Sequence, residues 1–118
     1  MRHRVQSKTL RLKRAPRRAL VRNLITSLIL HESIQTTELR AKILQRSIEK
    51  LITLVKRKNQ REAIRTLQKF LFHEEASRKM LSEILTRFQK KTSGYTRIIP
   101  VKVRPGDAAS IVQIEFTF

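Results

Sequence analysis

No acidic residue precedes Glu32, while nine Lys and Arg do, from Arg2 to Arg22. Such a segment cannot fold against itself. Like charges repel at every close approach, and residues 1–15 carry too few apolar side chains to outweigh the repulsion. Two designs remain: a solvated tail, or a segment that orders on a polyanion. The rest of the chain favours the second. Its 118 residues hold 27 Lys and Arg against 9 Asp and Glu, a net charge of +18. That excess costs a compact protein self-repulsion, whereas a nucleic-acid binder gains affinity from it. The 40% of hydrophobic residues can supply a core. The expected organisation is a basic extension over residues 1–15 and one globular domain over 16–118.

Within that domain the apolar residues recur at helical spacing. Pro16 can open a helix, because its missing N–H is not needed in a first turn. Leu20, Val21, Leu24, Ile25, Leu28 and Ile29 then form a buried stripe, with Arg17, Arg18, Arg22 and Asn23 off it. Ser33 to Thr37 reads as an edge strand. Thr37 can cap a helix from Glu38 to Arg57, whose stripe runs from Leu39 through Ile43, Leu44, Ile48, Leu51 and Ile52 to Val55. Arg40, Lys42, Arg46, Lys50 and Lys56 take its other faces. The Lys56-Arg57-Lys58 cluster lies where the helix dipole is negative, so helix stability explains it as well as RNA binding does. Asn59-x-x-Glu62 resembles a capping box. The helix it opens extends to Phe72, with Ala63, Ile64, Leu67, Phe70 and Leu71 inward. A fourth helix runs from Glu74 to Phe88 on Ala76, Met80, Leu81, Ile84, Leu85 and Phe88. Tyr95 to Arg104 alternates as a strand, with Ile99, Val101 and Val103 on one face and Lys102 and Arg104 on the other. Pro100 argues against a central position. After a Pro105-Gly106-Asp107 turn, Val112, Ile114, Phe116 and Phe118 alternate again. The expected fold class is α+β: about four helices on a small mixed three-stranded sheet with a C-terminal hairpin.

The inventory excludes several functions. There is no Cys, and hence no disulfide, thiolate metal site or Cys nucleophile. Two Gly, Gly94 and Gly106, cannot build a phosphate-cradling Gly-rich loop. Asp107 is the only Asp, and His3, His31 and His73 never pair at metal-ligand spacing. Glu74 and Glu75 suit the first turn of a helix better than a catalytic pair. The expectation is no enzyme, no cofactor, no metal and no small-molecule substrate. No stretch reaches the ~20 apolar residues of a membrane span, so no membrane partner is expected. The N-terminus has no apolar segment with a small-residue cleavage site, as a secretory signal would. It is Arg-rich like a mitochondrial presequence, yet it has one Ser and continues directly into patterned structure.

A polyanion can be DNA or RNA. The five Phe fall mostly on the predicted core stripes, so platforms for base stacking are expected to be scarce. Tyr95 reads as the most exposed aromatic, placed either to stack on a base or to pack on the sheet. No helix-turn-helix, zinc-finger or basic-zipper signature is visible. Arg outnumbers Lys, and Arg forks match phosphate oxygens. These features point to the backbone and shape of folded RNA rather than base edges. The alternative is a nucleoid-type architectural DNA-binding protein. An enzyme acting on nucleic acid would need an acidic metal cluster, which one Asp and scattered Glu do not supply.

Several blocks carry a closer likeness. MRHR at the start, RRALVRNLITSLILHESIQTTELRAK at 17–42, EKLITLVK at 49–56, SGYTRI at 93–98 and RPGDAA at 104–109 together resemble the bacterial large-subunit ribosomal protein seventeen family. The likeness is collinear over essentially the whole chain. Ser93 stands where the family usually has the first of two Gly before the Tyr, and Ala15-Pro16 where a polar cap is common. The resemblance implies an α+β fold without catalysis and binding to large-subunit rRNA near the mouth of the nascent-chain exit tunnel. It also implies neighbouring large-subunit proteins as partners, in the cytoplasmic ribosome of a bacterium or in an organelle ribosome derived from one. By position it implies rRNA contacts at Arg2, His3 and Arg4, at Arg18, Arg22 and Asn23, at Arg40 and Lys42, and at Tyr95 and Arg97. The charge pattern adds Lys8, Arg11, Lys13, Arg14 and Arg17 from the acid-free stretch. The strand alternation adds Lys102 and Arg104.

Overall fold

The helical stripes close on one another and on one face of a sheet. The structure is a computed structural model and describes residues 10–118. In chain order it runs α1 (Arg14–His31), β1 (Ser33–Thr37), α2 (Glu38–Lys56), α3 (Gln60–Phe70), α4 over residues 74–87, β2 (Thr96–Val103) and β3 (Ser110–Phe116). α4 is one rod in three stretches: α-helical Glu74–Lys79, π-helical Met80–Ile84 and a last turn Leu85–Arg87. Four helices and three strands among the described residues make the fold α+β, as expected. The sheet, expected to be mixed, is antiparallel throughout. Its order is β1-β3-β2, with Ile34 opposite Ile114 and Ile98 opposite Ile114 from the other side.

α2 is the centre of the packing. Ala41, Leu44, Ile48 and Ile52 are fully buried, and the helix touches α1, α3 and all three strands. Ile25, Leu28 and Ile29 of α1 join the same core, as do Leu67 of α3, Met80 and Ile84 of α4, and Val112, Ile114 and Phe116 of β3. Phe88 closes one end. Its ring lies edge-on to Tyr95 at 5.0 Å and to Phe116 at 5.7 Å, and stacks on Phe118 at 4.9 Å. Aromatic pairs of this kind add about 0.5–1.5 kcal/mol each beyond their burial.

Several predicted details change. α1 begins at Arg14, two residues before Pro16, which puts the proline in its first turn as expected. Thr37 makes no capping bond, whereas the Asn59 side chain accepts from the Glu62 N–H at 3.0 Å. α3 ends at Phe70 because Leu71 turns extended. Ile64 and Phe70 are exposed where core was expected, and Thr66 is buried instead. α3 packs mainly on α2 and α4, so a narrower stripe of it is covered than its composition offers.

The largest correction concerns β2. Ile99, Val101 and Val103 are exposed, not buried. Alternation identifies two faces without telling which one is covered. The pairing decides it: Thr96 and Ile98 lie opposite the inward-facing Phe116 and Ile114. A bulge between Pro100 and Lys102 then removes Val101 from the ladder. Lys102 thereby pairs with Ile111, on the same face as Ile99 opposite Gln113. Pro100 sits on the edge strand, where its missing N–H costs no ladder bond.

Candidate RNA-facing surface

The start of α1 breaks the rules that the other helices obey. A helix N-terminus carries partial positive charge, so acids stabilise it and bases do not. α2 opens with Glu38, α3 with Glu62 and α4 with Glu74 and Glu75. α1 opens with Lys13, which makes no capping bond, and has no acid in its first turn. Arg14, Arg17 and Arg18 follow, all exposed. None of Arg11, Lys13, Arg14, Arg17 and Arg18 forms an ion pair with another described residue. A helix end with free N–H groups and a cluster of unneutralised guanidinium groups is an anion-binding surface by construction. Asn23 is exposed one turn further on.

Arg22 has another task. Its Nη2 donates to the Leu71 carbonyl at 3.2 Å, and its guanidinium lies 4.0 Å over the Phe72 ring. Beside it, the buried Thr26 hydroxyl donates to the Arg22 carbonyl at 2.8 Å and accepts from the Phe72 N–H at 3.4 Å. The Arg22 Nε is buried without a protein partner among the described residues. Arg22 thus fastens α1 to the α3–α4 junction, and at most part of its fork is available to RNA.

The remaining candidates divide by whether an acid holds them. Lys42 pairs with Glu38 one turn earlier. Arg97 pairs with Glu115 across the β2–β3 ladder, and hydrogen bonds from Gln113 and then Arg97 hold the Glu115 carboxyl below its ordinary value. Arg104 grips Asp107 with two parallel bonds of 2.9 and 2.6 Å. That grip, helped by the Ala109 N–H, lowers the Asp107 carboxyl to about 2. Arg40 and Lys102 are exposed and without an acid partner among the described residues. The expected contacts of Arg2, His3, Arg4 and Lys8 lie outside the described residues.

Tyr95 is not the exposed aromatic it was expected to be. It is 2% exposed, packed on Phe88, and its hydroxyl donates to the Lys91 carbonyl at 3.2 Å. Stacking on a base is therefore closed to it. The expectation that Phe lies mostly in the core also fails: Phe70, Phe72 and Phe118 are each 40% or more exposed. Helical or strand spacing assigned Phe70 and Phe118 inward, but periodicity does not report how wide a face is covered.

The Lys56-Arg57-Lys58 cluster resolves into three roles. Lys56 points inward, and its ammonium donates to the carbonyls of Phe88 and Lys91 and lies 3.4 Å from the Tyr95 hydroxyl. It ties the turn that follows α4 to the end of α2, a helix more than thirty residues earlier. Lys58 donates to the Thr66 hydroxyl at 2.8 Å. Arg57 alone is exposed. Glu32, the first acid of the chain, sits at φ 62° at the end of α1 and holds Lys79 at 3.0 Å and Arg87 at 3.2 Å. Lys79, more than burial opposes it, pulls its carboxyl down. No group of three or more His, Asp or Glu that could hold a metal occurs among the described residues.

Comparison with known proteins identifies the family. The profile of the family described as Ribosomal protein L17 matches residues 20–117. The large ribosomal subunit protein bL17 of Desulforudis audaxviator is 46% identical over 99 residues, which span 84% of this chain and 88% of that one. The protein of the same name from Syntrophomonas wolfei is 41% identical over 84% of this chain and 87% of its own. That of Bdellovibrio bacteriovorus is 42% identical over 97% of this chain and 62% of its own. With a family profile covering most of its length, this chain belongs to the ribosomal protein L17 family.

Proposed function

We propose that the chain is a structural constituent of the large ribosomal subunit, which binds large-subunit rRNA and performs no catalysis. Its relatives carry that subunit in their names. The observation that carries the contact is the start of α1, where four basic residues, Lys13, Arg14, Arg17 and Arg18, stand at the positive end of a helix with no acid among the described residues to answer them. A protein that worked alone would lose nothing by placing acids there and would gain stability. Phosphates supply the missing anions. The other cations of the acid-free residues 1–15 serve the same contact, and the domain that follows acts as the folded body. The exposed Arg40 and Lys102 widen the footprint, and Arg97 and Arg104 join it only by exchanging their internal acids for phosphates. Neighbouring large-subunit proteins complete the set of partners, in the cytoplasmic ribosome of a bacterium.

Titration of binding to protein-free large-subunit rRNA against salt tests this reading. Several phosphate contacts require the affinity to fall steeply, by roughly 10³–10⁵ between 50 and 200 mM salt for six to ten contacts. Equal affinity for random duplex DNA at physiological salt would favour the architectural DNA-binding reading instead. A nearly salt-independent affinity would remove both.

A further inference from the structure

The outer face of α2 carries three cations beyond the expected rRNA contacts. Arg46, Lys50 and Arg57 are exposed, four and seven residues apart, and so lie on one side of the helix, opposite the buried Leu44, Ile48, Leu51 and Val55. No acid among the described residues pairs with any of them. Lys50 and Arg57 rim a groove of about 390 Å³, whose opposite wall is the turn before β2. Thr53, Thr92 and Ser93 bring hydroxyls to it, and Leu54 an apolar patch.

That wall is braced. Lys91 reaches the Thr117 carbonyl and hydroxyl, the Thr117 hydroxyl donates to the Gly94 carbonyl at 2.7 Å, and the Thr117 N–H to the Tyr95 carbonyl at 2.9 Å. From the other side Lys56 holds Lys91. Gly94 takes φ +66°, and a Cβ there would meet nothing within 4 Å. The backbone at the rim is therefore open to a ligand. The one acid in the groove, Glu49, accepts from the Thr96 hydroxyl at 3.0 Å. Two cations face one carboxylate that already has a donor, and Arg46 stands one turn away.

We infer that this groove between α2 and the Thr92–Gly94 turn is a second rRNA contact, which takes the sugar–phosphate backbone. Arg57 and Lys50 meet phosphates, and the threonine and serine hydroxyls meet ribose hydroxyls. This inference rests on the proposed rRNA binding and adds a site to it.

The test compares the full chain with Lys50→Ala/Arg57→Ala in salt titrations on protein-free large-subunit rRNA. Both positions are exposed, so the thermal midpoint stays at the wild-type value. Two lost phosphate contacts lower the slope of log affinity against log salt by about 2 and the affinity at physiological salt by about 30-fold. A variant with the wild-type slope overturns the groove contact while leaving the α1 surface standing; this is also the outcome if an acidic protein segment fills the groove. A wild-type chain that shows no salt-dependent binding overturns both.

Discussion

The start of α1 and the β2–β3 hairpin look alike as sequence. Each offers several basic residues beside few acids, and each supplied candidates for RNA contact. Folded, they differ in kind. In the hairpin, Arg97 finds Glu115 across the ladder and Arg104 finds Asp107 across the turn. At α1 no described residue answers Lys13, Arg14, Arg17 or Arg18. Counting cations therefore overstates a binding surface. The informative quantity is the cation left over after the fold has used what it needs, and a cation placed against a helix dipole is the clearest remainder, because the fold alone gives no reason for it.

The sharpest way to break this contrast is to remove the remainder. Arg14→Gln/Arg17→Gln/Arg18→Gln should weaken rRNA binding by about 100-fold at physiological salt and flatten the salt slope by about 3. The same variant should unfold no earlier than wild type, since these side chains hold nothing in the structure. Arg14→Glu alone should raise stability by about 0.3–1 kcal/mol by restoring the acid that the first turn lacks. Thermal unfolding and filter binding on one preparation read both effects. If stability falls with affinity, the start of α1 is part of the core and the comparison fails.

Lys56 gives the opposite case, a cation wholly spent inside. Lys56→Met keeps most of the side-chain volume but leaves the Phe88 carbonyl short of its charged donor and removes a bond to Lys91. Hydrogen bonds to charged groups are worth about 1.5–3 kcal/mol, so denaturant unfolding should show a loss of about 2 kcal/mol. Binding by the folded fraction should keep the part of the salt slope that α1 carries. A variant of wild-type stability would mean that Lys56 is a surface cation like Arg57.

What the sequence discloses follows from what each signal measures. Helical spacing located all four helices, because 3.6-residue periodicity is local and the stripes of α1 and α2 are covered nearly end to end. The acid-free start is likewise a local fact, and it marks the α1 surface directly. The covered face of β2 is not local. Ile99, Val101 and Val103 form a better apolar alternation than Thr96 and Ile98, yet the pairing turns Ile99 outward, the bulge takes Val101 out of the ladder, and Val103, opposite Ser110, lies exposed at the far end of the strand. Lys56 and Arg57 are neighbours with opposite fates, decided by the end of α4 more than thirty residues later. The groove cations escaped for the same reason: Arg46, Lys50 and Arg57 recur at helical spacing, but the turn that faces them belongs to another part of the chain.

The smallest effect expected tests the paired side of the comparison. Asp107 has a carboxyl lowered from the ordinary 3.8 to about 2, chiefly by the two bonds from Arg104 and then by the Ala109 N–H. A carboxyl whose folded value is depressed stabilises the fold above its unfolded value, and that stabilisation disappears as pH falls through the folded value. The contribution is therefore complete above about pH 4 and is lost between about 3.8 and 2. Because the pair is exposed, solvent and salt screen it, and Asp107→Asn should flatten this short acid limb without shifting the rest of the stability profile. Side-chain carboxyl titration by NMR reads the pair directly, with a midpoint expected near 2. A midpoint near 3.8 would mean that Arg104 is free in solution. Arg104 would then belong with Arg14, Arg17 and Arg18 among the cations held for RNA, and the hairpin would no longer differ from the start of α1.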